Sequence, residues 1–277
     1  MQLDREPLIM PQSLVILGAG YTARFVLPQA ERRYAHLFLS SREPDRHLSH
    51  VPPLQRIRFD LEQPHTWKNI PSDADLLWCF PAAPLHRVRQ LADTHNLRSH
   101  RLVVLGSTSA YKEAHSYDYP PPWTDETAPI AQQQPRVEGE EFLRSTCRAT
   151  VLRVAGIYGP GRSPIDWITK GRVGPSRKYV NLIHVEDLAS VCLTALDRGL
   201  PGEVYNVSDG TPRTWTEICR IARDRWGIQS AARRDDDVPT GKRIANGKLL
   251  SLLQGTDRQL RHPDLWRALE QLAAPTG

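Results

Sequence analysis

The sequence predicts an α/β protein, a doubly wound parallel sheet with a small, mostly helical C-terminal lobe. Three observations predict it. Short apolar runs of strand length alternate with amphipathic helical stretches. The first such run passes straight into a Gly-x-Gly-x-x-Ala turn that opens a helix. The last quarter of the chain is helical with little strand character.

The first strand is read at Ser13-Leu-Val-Ile-Leu17, followed at once by Gly18-Ala-Gly20-Tyr21-Thr22-Ala23 and then a helix with Phe25, Val26 and Ala30 on one face and arginines on the other. Further strands are expected at 36–40, 56–59, 75–80, 101–105 and 149–154, with helices at 85–96 and 137–145 between them. Strands that alternate with helices form parallel sheets covered on both faces, which is the Rossmann type of architecture. Prolines break the pattern twice. Tyr117-Asp-Tyr-Pro-Pro-Pro-Trp123 cannot be a regular helix, because proline lacks the amide donor and blocks the preceding turn, so an ordered loop is expected. Residues 159–176 carry three prolines and four glycines and are read as irregular, with the next helix starting near Val185. From Thr214 the chain is helical apart from a polar connector at 231–240. The expected domains are a dinucleotide-binding domain at 1–165, to which 184–210 returns, and a substrate lobe built from 166–183 and 211–277.

Composition narrows the function classes. Of 277 residues, 40% are hydrophobic and 24% charged, which excludes wholesale disorder and a membrane bundle. No apolar run approaches the roughly 18 residues of a membrane span. The formal charge of +5 comes from scattered basic residues and falls short of a nucleic-acid-binding signature. Asp4, Arg5 and Glu6 interrupt the first twelve residues, so no targeting segment is read there. The four cysteines lie far apart without a CxxC pair, which argues against a zinc site and a disulfide framework. A cytoplasmic protein acting on a small molecule, without metal, nucleic acid or membrane, is the expectation; the residues carry no signal for oligomeric state.

The glycine turn is the strongest chemical signal. Its first glycine permits the tight turn, the second lets amides approach a pyrophosphate, and the small Ala23 permits close packing, with the helix N-terminus facing the phosphates. The alternative is a merely tight structural turn. An NAD site normally has an acid about 20 residues on, for the ribose hydroxyls. No carboxylate lies between 36 and 42. Ser41 and Arg42 stand there instead, and arginine's fork suits a 2′-phosphate, so NADP is favoured over NAD; the bland reading of Arg42 is a solvated loop arginine.

Beyond that turn, six more segments follow in order: Asp60-Leu61; Pro81-Ala82-Ala83; Gly106-Ser-Thr-Ser-Ala-Tyr111; Leu152-Arg-Val-Ala-Gly-Ile-Tyr-Gly-Pro-Gly161; Ile183-His-Val-Glu-Asp187; and Glu203-Val-Tyr-Asn-Val-Ser-Asp209. In this order they resemble the extended short-chain dehydrogenase/reductase superfamily, the NAD(P)-dependent epimerase/dehydratase group. The resemblance implies that Asp60 and Leu61 contact adenine, that Pro81 and Ala82 line the cofactor, and that Ser107 is the active-site hydroxyl.

One element of that family is missing. Its acid/base is a tyrosine followed four residues later by a lysine on one helix face. None of the eight tyrosines here has a lysine at that position. Matching the helix at 137–145 to the family helix puts Gln132 at the tyrosine position and Arg136 at the lysine position. Glutamine cannot ionise and arginine stays protonated, so neither serves as general base. Arg136 can still bind a ribose hydroxyl or a substrate anion, or pair with Glu140 one turn on. The resemblance therefore points to the atypical members, which keep the cofactor site and lose the standard tetrad. Ser107 is the candidate to polarise a carbonyl and Tyr111 a candidate proton donor. Arg162, Arg177 and His184 are candidate substrate contacts, His184 with a structural role at the lobe junction as its alternative. The leading expectation is an NADP-dependent reductase or epimerase-like enzyme acting on a small carbonyl or sugar-like substrate; the rival is a non-catalytic NADP-binding sensor or partner-binding protein.

Overall fold

The computed structural model describes residues 13–112, 118–231 and 240–273. The first twelve residues, Tyr117 at the head of the expected loop and 232–239 of the expected connector lie outside the described residues. The elements run β1 (Ser13–Leu17), α1 (Ala23–Ala30), β2 (His36–Ser41), α2 (Pro44–His47), β3 (Arg56–Arg58), β4 (Asp75–Trp78), α3 (Leu85–Thr94), β5 (Leu102–Ser107), β6 (Trp123–Thr124), α4 (Pro135–Thr146), β7 (Thr150–Val154), β8 (Gly156–Tyr158), α5 (Pro164–Thr169), β9 (Tyr179–Val180), β10 (Leu182–His184), α6 (Val185–Arg198), β11 (Val204–Val207), β12 (Arg213–Thr214), α7 (Trp215–Trp226), β13 (Arg243–Ile244), α8 (Gly247–Leu253) and α9 (Leu265–Ala273).

Seven strands form one sheet in the order β3-β2-β1-β4-β5-β7-β11, every neighbouring pair parallel. The order reverses between β1 and β4. In open parallel sheets ligands bind outside the C-terminal strand ends at such a reversal. β1 is an interior strand with all five residues buried, so both of its faces must be apolar. Its alternation divides the core. Leu14 and Ile16 pack with Val26 and Ala30 of α1 and with Leu188 and Val191 of α6. Val15 and Leu17 pack on the other face with Val88 and Leu91 of α3 and Leu143 of α4.

The lobe has its own small core, in which Ile168 of α5, Ile218 and Ala222 of α7, and Leu265 and Leu269 of α9 meet Tyr158 and Leu182. α8 lies within the stretch expected to build that lobe, yet Leu249 and Leu253 join the sheet's core beneath β11 and α6. The irregular region expected at 159–176 contains one helix, α5. Ser163 caps it by accepting the Ile165 N–H at 3.1 Å, and Pro164 occupies its first turn, where a missing amide costs nothing. Among the described residues no helix is long and apolar enough to cross a membrane.

Candidate cofactor and substrate cleft

The turn after β1 is shaped by two glycines for different reasons. Gly18 has φ +92°, its N–H donates to Ser40 Oγ at 2.9 Å, and a Cβ there would lie 2.9 Å from Phe80 Cδ1. Gly20 differs, since a Cβ on it would meet nothing within 4 Å. The protein itself does not require Gly20 to be small, so the open space fits the close approach of a pyrophosphate. Thr22 is buried at the start of α1 without a side-chain cap, which leaves the first amides of that helix to an anion. Tyr21 leans away, donating its hydroxyl to the Pro160 carbonyl at 3.0 Å. Ala23 is buried in the sheet's core.

A cavity of about 640 Å³ opens in front of this turn. Ser40, Ser41 and Arg42 from the end of β2, Asp60 and Leu61 from the segment after β3, and Ala83 line it. Ser41 Oγ lies 2.8 Å from His47 Nδ1 and accepts the Glu43 N–H at 3.2 Å, while Arg42 is exposed with no ion pair among the described residues. Arg24 of α1 and His47 also line the cavity and escaped the sequence reading. Arg24 follows the last position of the glycine motif, where a basic residue beside the phosphates would have been a usable signal. Ala83 takes the wall position expected for Pro81 and Ala82. Pro81 is exposed, and Ala82 is pinned beneath α4, where a Cβ on Gly139 would overlap the Ala82 carbonyl. Cys79 also lines this cavity, and burial pushes its thiol up to about 12.

A second cavity of about 400 Å³ lies along the same sheet edge, past β5 and β7 and against the lobe. Its lining includes Ser107 at the end of β5 and Ser109 just after it, Lys178 and Lys242, and Trp167 and Trp215. Ser107 Oγ accepts the Ser109 N–H at 3.2 Å and the Ser109 hydroxyl at 3.0 Å, so its own proton is left to donate. The lysines come from segments about sixty residues apart, joined only by tertiary structure, and no short-range spacing announces them.

Several expected site residues stand elsewhere. Tyr111 is 2% exposed, donates its hydroxyl to Asn206 Oδ1 at 2.7 Å and carries the Arg153 guanidinium 4.8 Å above its ring. Burial pushes its phenol up to about 12, and it lines neither cavity. A short turn at Thr108–Ala110 separates it from β5, and its side chain is buried against β11 away from either cavity. Gln132 is exposed and precedes α4, which begins at Pro135, so the acid/base position lies off the helix altogether. Arg136 faces a small void beside Pro81, Ala82 and Gly106. The expected Arg136–Glu140 pair is replaced by a buried one. Glu140 Oε1 accepts from Arg153 Nε at 2.8 Å, Glu141 accepts from the same guanidinium at 2.7 Å, and a Cβ on Gly106 would overlap the Glu140 carboxylate.

Arg162 lies over the Tyr21 ring at 5.7 Å, beside the glycine turn and away from Ser107. Arg177 stacks on Tyr119 at 4.0 Å and does not line the second cavity; its neighbour Lys178 does. His184 is buried at the head of α6, accepting the Glu186 N–H at 3.3 Å and stacking on His262 at 3.8 Å. It lines neither cavity.

No protein-family model matches the chain. Protein YeeZ of Escherichia coli strain K12 is 31% identical over 131 residues, which cover 44% of this chain and 45% of that protein, so the match spans under half of either. Among solved structures, a conserved protein of unknown function from Silicibacter pomeroyi superposes with a TM-score of 0.73 at 24% identity, over 94% of this chain and 98% of that one. The Bordetella bronchiseptica enzyme WbmG, solved with NAD, gives 0.72 at 18% identity, over 95% and 94%. The UDP-Glc/GlcNAc 4-epimerase of Campylobacter jejuni gives 0.71 at 17%, over 94% and 98%. The chain thus shares the fold of these proteins over nearly its whole length, the parallel-sheet architecture its motifs led us to expect.

Proposed function

We propose that this chain is an atypical member of the extended short-chain dehydrogenase/reductase family, an NADP-dependent reductase or epimerase-like enzyme acting on a small carbonyl or sugar-like substrate. One observation carries the reading. A glycine turn opening on one cavity and a hydroxyl on a second lie along the same C-terminal edge of one sheet, at and beyond its reversal. When bound, the dinucleotide supplies or accepts the hydride.

The chain's residues do the rest. The amides of the Gly18–Ala23 turn hold the pyrophosphate, and Asp60 and Leu61 flank the adenosine end. Ser41 and Arg42 bind the 2′-phosphate, which favours NADP over NAD because no carboxylate ends β2 and the Arg42 fork suits a phosphate. WbmG carries NAD in the same fold, which supports the dinucleotide and leaves the preference to these residues. Ser107 donates its hydroxyl to the substrate carbonyl oxygen. The proton that accompanies the hydride comes from the wall of the second cavity or its solvent and not from Tyr111 or Gln132, neither of which lines it.

The test is calorimetric titration with NADPH and NADH followed by a spectrophotometric screen of carbonyl compounds. Binding with turnover that Ser107→Ala reduces about 10²-fold supports the reading; absence of dinucleotide binding overturns it. The sensor reading is favoured by the missing tyrosine and lysine pair, and binding without turnover of any carbonyl would select it.

A further inference from the structure

We propose, on the reading that Ser41 and Arg42 take the 2′-phosphate of NADP, that His47 is a positioning residue that sets the choice between the two dinucleotides by acting through Ser41. Ser41 Oγ lies 2.8 Å from His47 Nδ1, and Ser41, Arg42 and His47 line the same cavity.

A serine hydroxyl has one proton and two lone pairs. Ser41 Oγ accepts the Glu43 N–H at 3.2 Å, which occupies one lone pair. The contact with His47 decides what is left for a ligand. Where Nδ1 is bare, Ser41 gives its proton to the imidazole and keeps only a lone pair, which a phosphate oxygen repels. Where Nδ1 carries a proton, as the neutral tautomer or as imidazolium, His47 donates, both lone pairs are filled, and the Ser41 proton is free for the phosphate. A 2′-phosphate therefore draws a proton onto Nδ1. A bare ribose hydroxyl can donate or accept, so NAD is served by either arrangement.

The chain fixes the imidazole there with one anchored turn. The bond from the Glu43 N–H to Ser41 turns the chain at the end of β2, and Pro44 opens α2. The His47 N–H donates to the Glu43 carbonyl at 2.9 Å and the Leu48 N–H to the Pro44 carbonyl at 2.8 Å. Leu48 is 1% exposed and packs with Leu39 and Val51. Arg56 of β3 donates to the Val51 and Ser49 carbonyls at 2.7 and 3.0 Å, tying the following segment to the sheet. His47 itself is exposed, so this placement serves no core. The carboxylates nearby are engaged. Glu43 is absent from the lining and pairs with Arg46 at 3.3 Å, Glu62 pairs with Arg87 at 3.1 Å, and Asp60 accepts the Glu62 N–H at 3.0 Å.

Calorimetric titration of matched ligands tests the proposal: NADP against NAD, and adenosine 2′,5′-bisphosphate against 5′-AMP, each pair differing only in the 2′-phosphate. His47→Ala is expected to weaken NADP and the bisphosphate by about threefold or more at unchanged NAD and 5′-AMP affinity. His47→Asn, whose amide can donate from the Nδ1 position, should restore part of that loss. In a Ser41→Ala background His47→Ala should have no further effect, as expected of two residues acting as one. Nitrogen NMR of the imidazoles, with the His47 signals assigned by their absence from His47→Asn, should show Nδ1 protonated when the bisphosphate is bound. A bare Nδ1 in that complex overturns the proposal, as does a His47 effect that persists without the Ser41 hydroxyl. An equal loss for both dinucleotides, or an NADP preference that His47→Ala leaves intact, overturns it while the NADP reading stands. Equal affinities of the unaltered chain for the two dinucleotides overturn both.

Discussion

The Tyr111 hydroxyl donates to Asn206 Oδ1 at 2.7 Å, tying the end of β5 to β11 across the buried width of β7. Asn206 is itself fully buried, accepting from Tyr111 while its amide nitrogen donates to the Ala245 carbonyl at 3.1 Å. The pair joins the sheet to the segment that carries β13.

Tyr111→Phe should therefore destabilise the fold without disabling the cleft. Removing the donor leaves Asn206 Oδ1 buried and unsatisfied, which costs about 1–3 kcal/mol. Urea denaturation should show that loss, and NADP affinity should stay unchanged. A large loss of turnover at full stability would return Tyr111 to the catalytic machinery.

The two glycines of the turn should fail differently. Gly20→Asp puts a carboxylate into open space, so the variant should fold and lose dinucleotide binding by charge repulsion. Gly18→Ala forces a side chain into a left-handed conformation against Phe80, and about 1–2 kcal/mol of stability should be lost from the backbone strain alone. Circular dichroism and calorimetry on both variants separate the outcomes. Unaltered NADP binding by Gly20→Asp would remove the pyrophosphate from this turn.

The central sheet was legible because its signals are local. β1 is an unbroken apolar run, the glycine turn follows it directly, and α4 begins and ends within two residues of the expected helix. Part of the first cavity's lining was legible for the same reason, since Gly18, Gly20, Arg42, Asp60 and Leu61 stand just after strand ends and Ser41 ends β2. Of the second cavity's lining, Ser107 alone had been singled out. Asn181 and Gly241 act by joining β9 to a segment sixty residues later, and a tertiary clamp leaves no periodicity in the chain. Tyr111 misled because strand ends point to a cleft in general, whereas its side chain is turned inward to pair with a residue 95 positions away.

Arg42 should set cofactor choice. On the proposed reading NADP binds about tenfold or more tightly than NAD, roughly 1.4 kcal/mol, and Arg42→Ala erases most of that difference while leaving NAD affinity unchanged. Calorimetric titration of both dinucleotides onto both proteins measures it. Equal affinities in the unaltered chain would remove the NADP preference.

The junction at His184 should make stability depend on pH. Its Nδ1 accepts the Glu186 N–H at the head of α6, so the imidazole must be neutral to cap the helix. Burial, reinforced by the neighbouring His262, lowers its pKa from 6.5 to about 4, with Glu186 opposing. The folded state thus holds the proton more weakly than the unfolded chain. The stabilisation is complete above pH 6.5 and is lost as pH falls from there toward 4, by up to about 3 kcal/mol at 1.36 kcal/mol per unit. Asp187 in the same turn accepts the Arg261 and His262 N–H groups at 2.7 and 2.9 Å, and burial raises its pKa, so its own protonation acts in the opposite direction. A comparison with His184→Asn separates the two, because asparagine keeps an acceptor at the cap and does not titrate. Urea unfolding at pH 7.5, 6, 5 and 4.5 should show the parent losing stability relative to the variant as the pH drops. Parallel curves for the two proteins would show that His184 is not a group the fold keeps neutral.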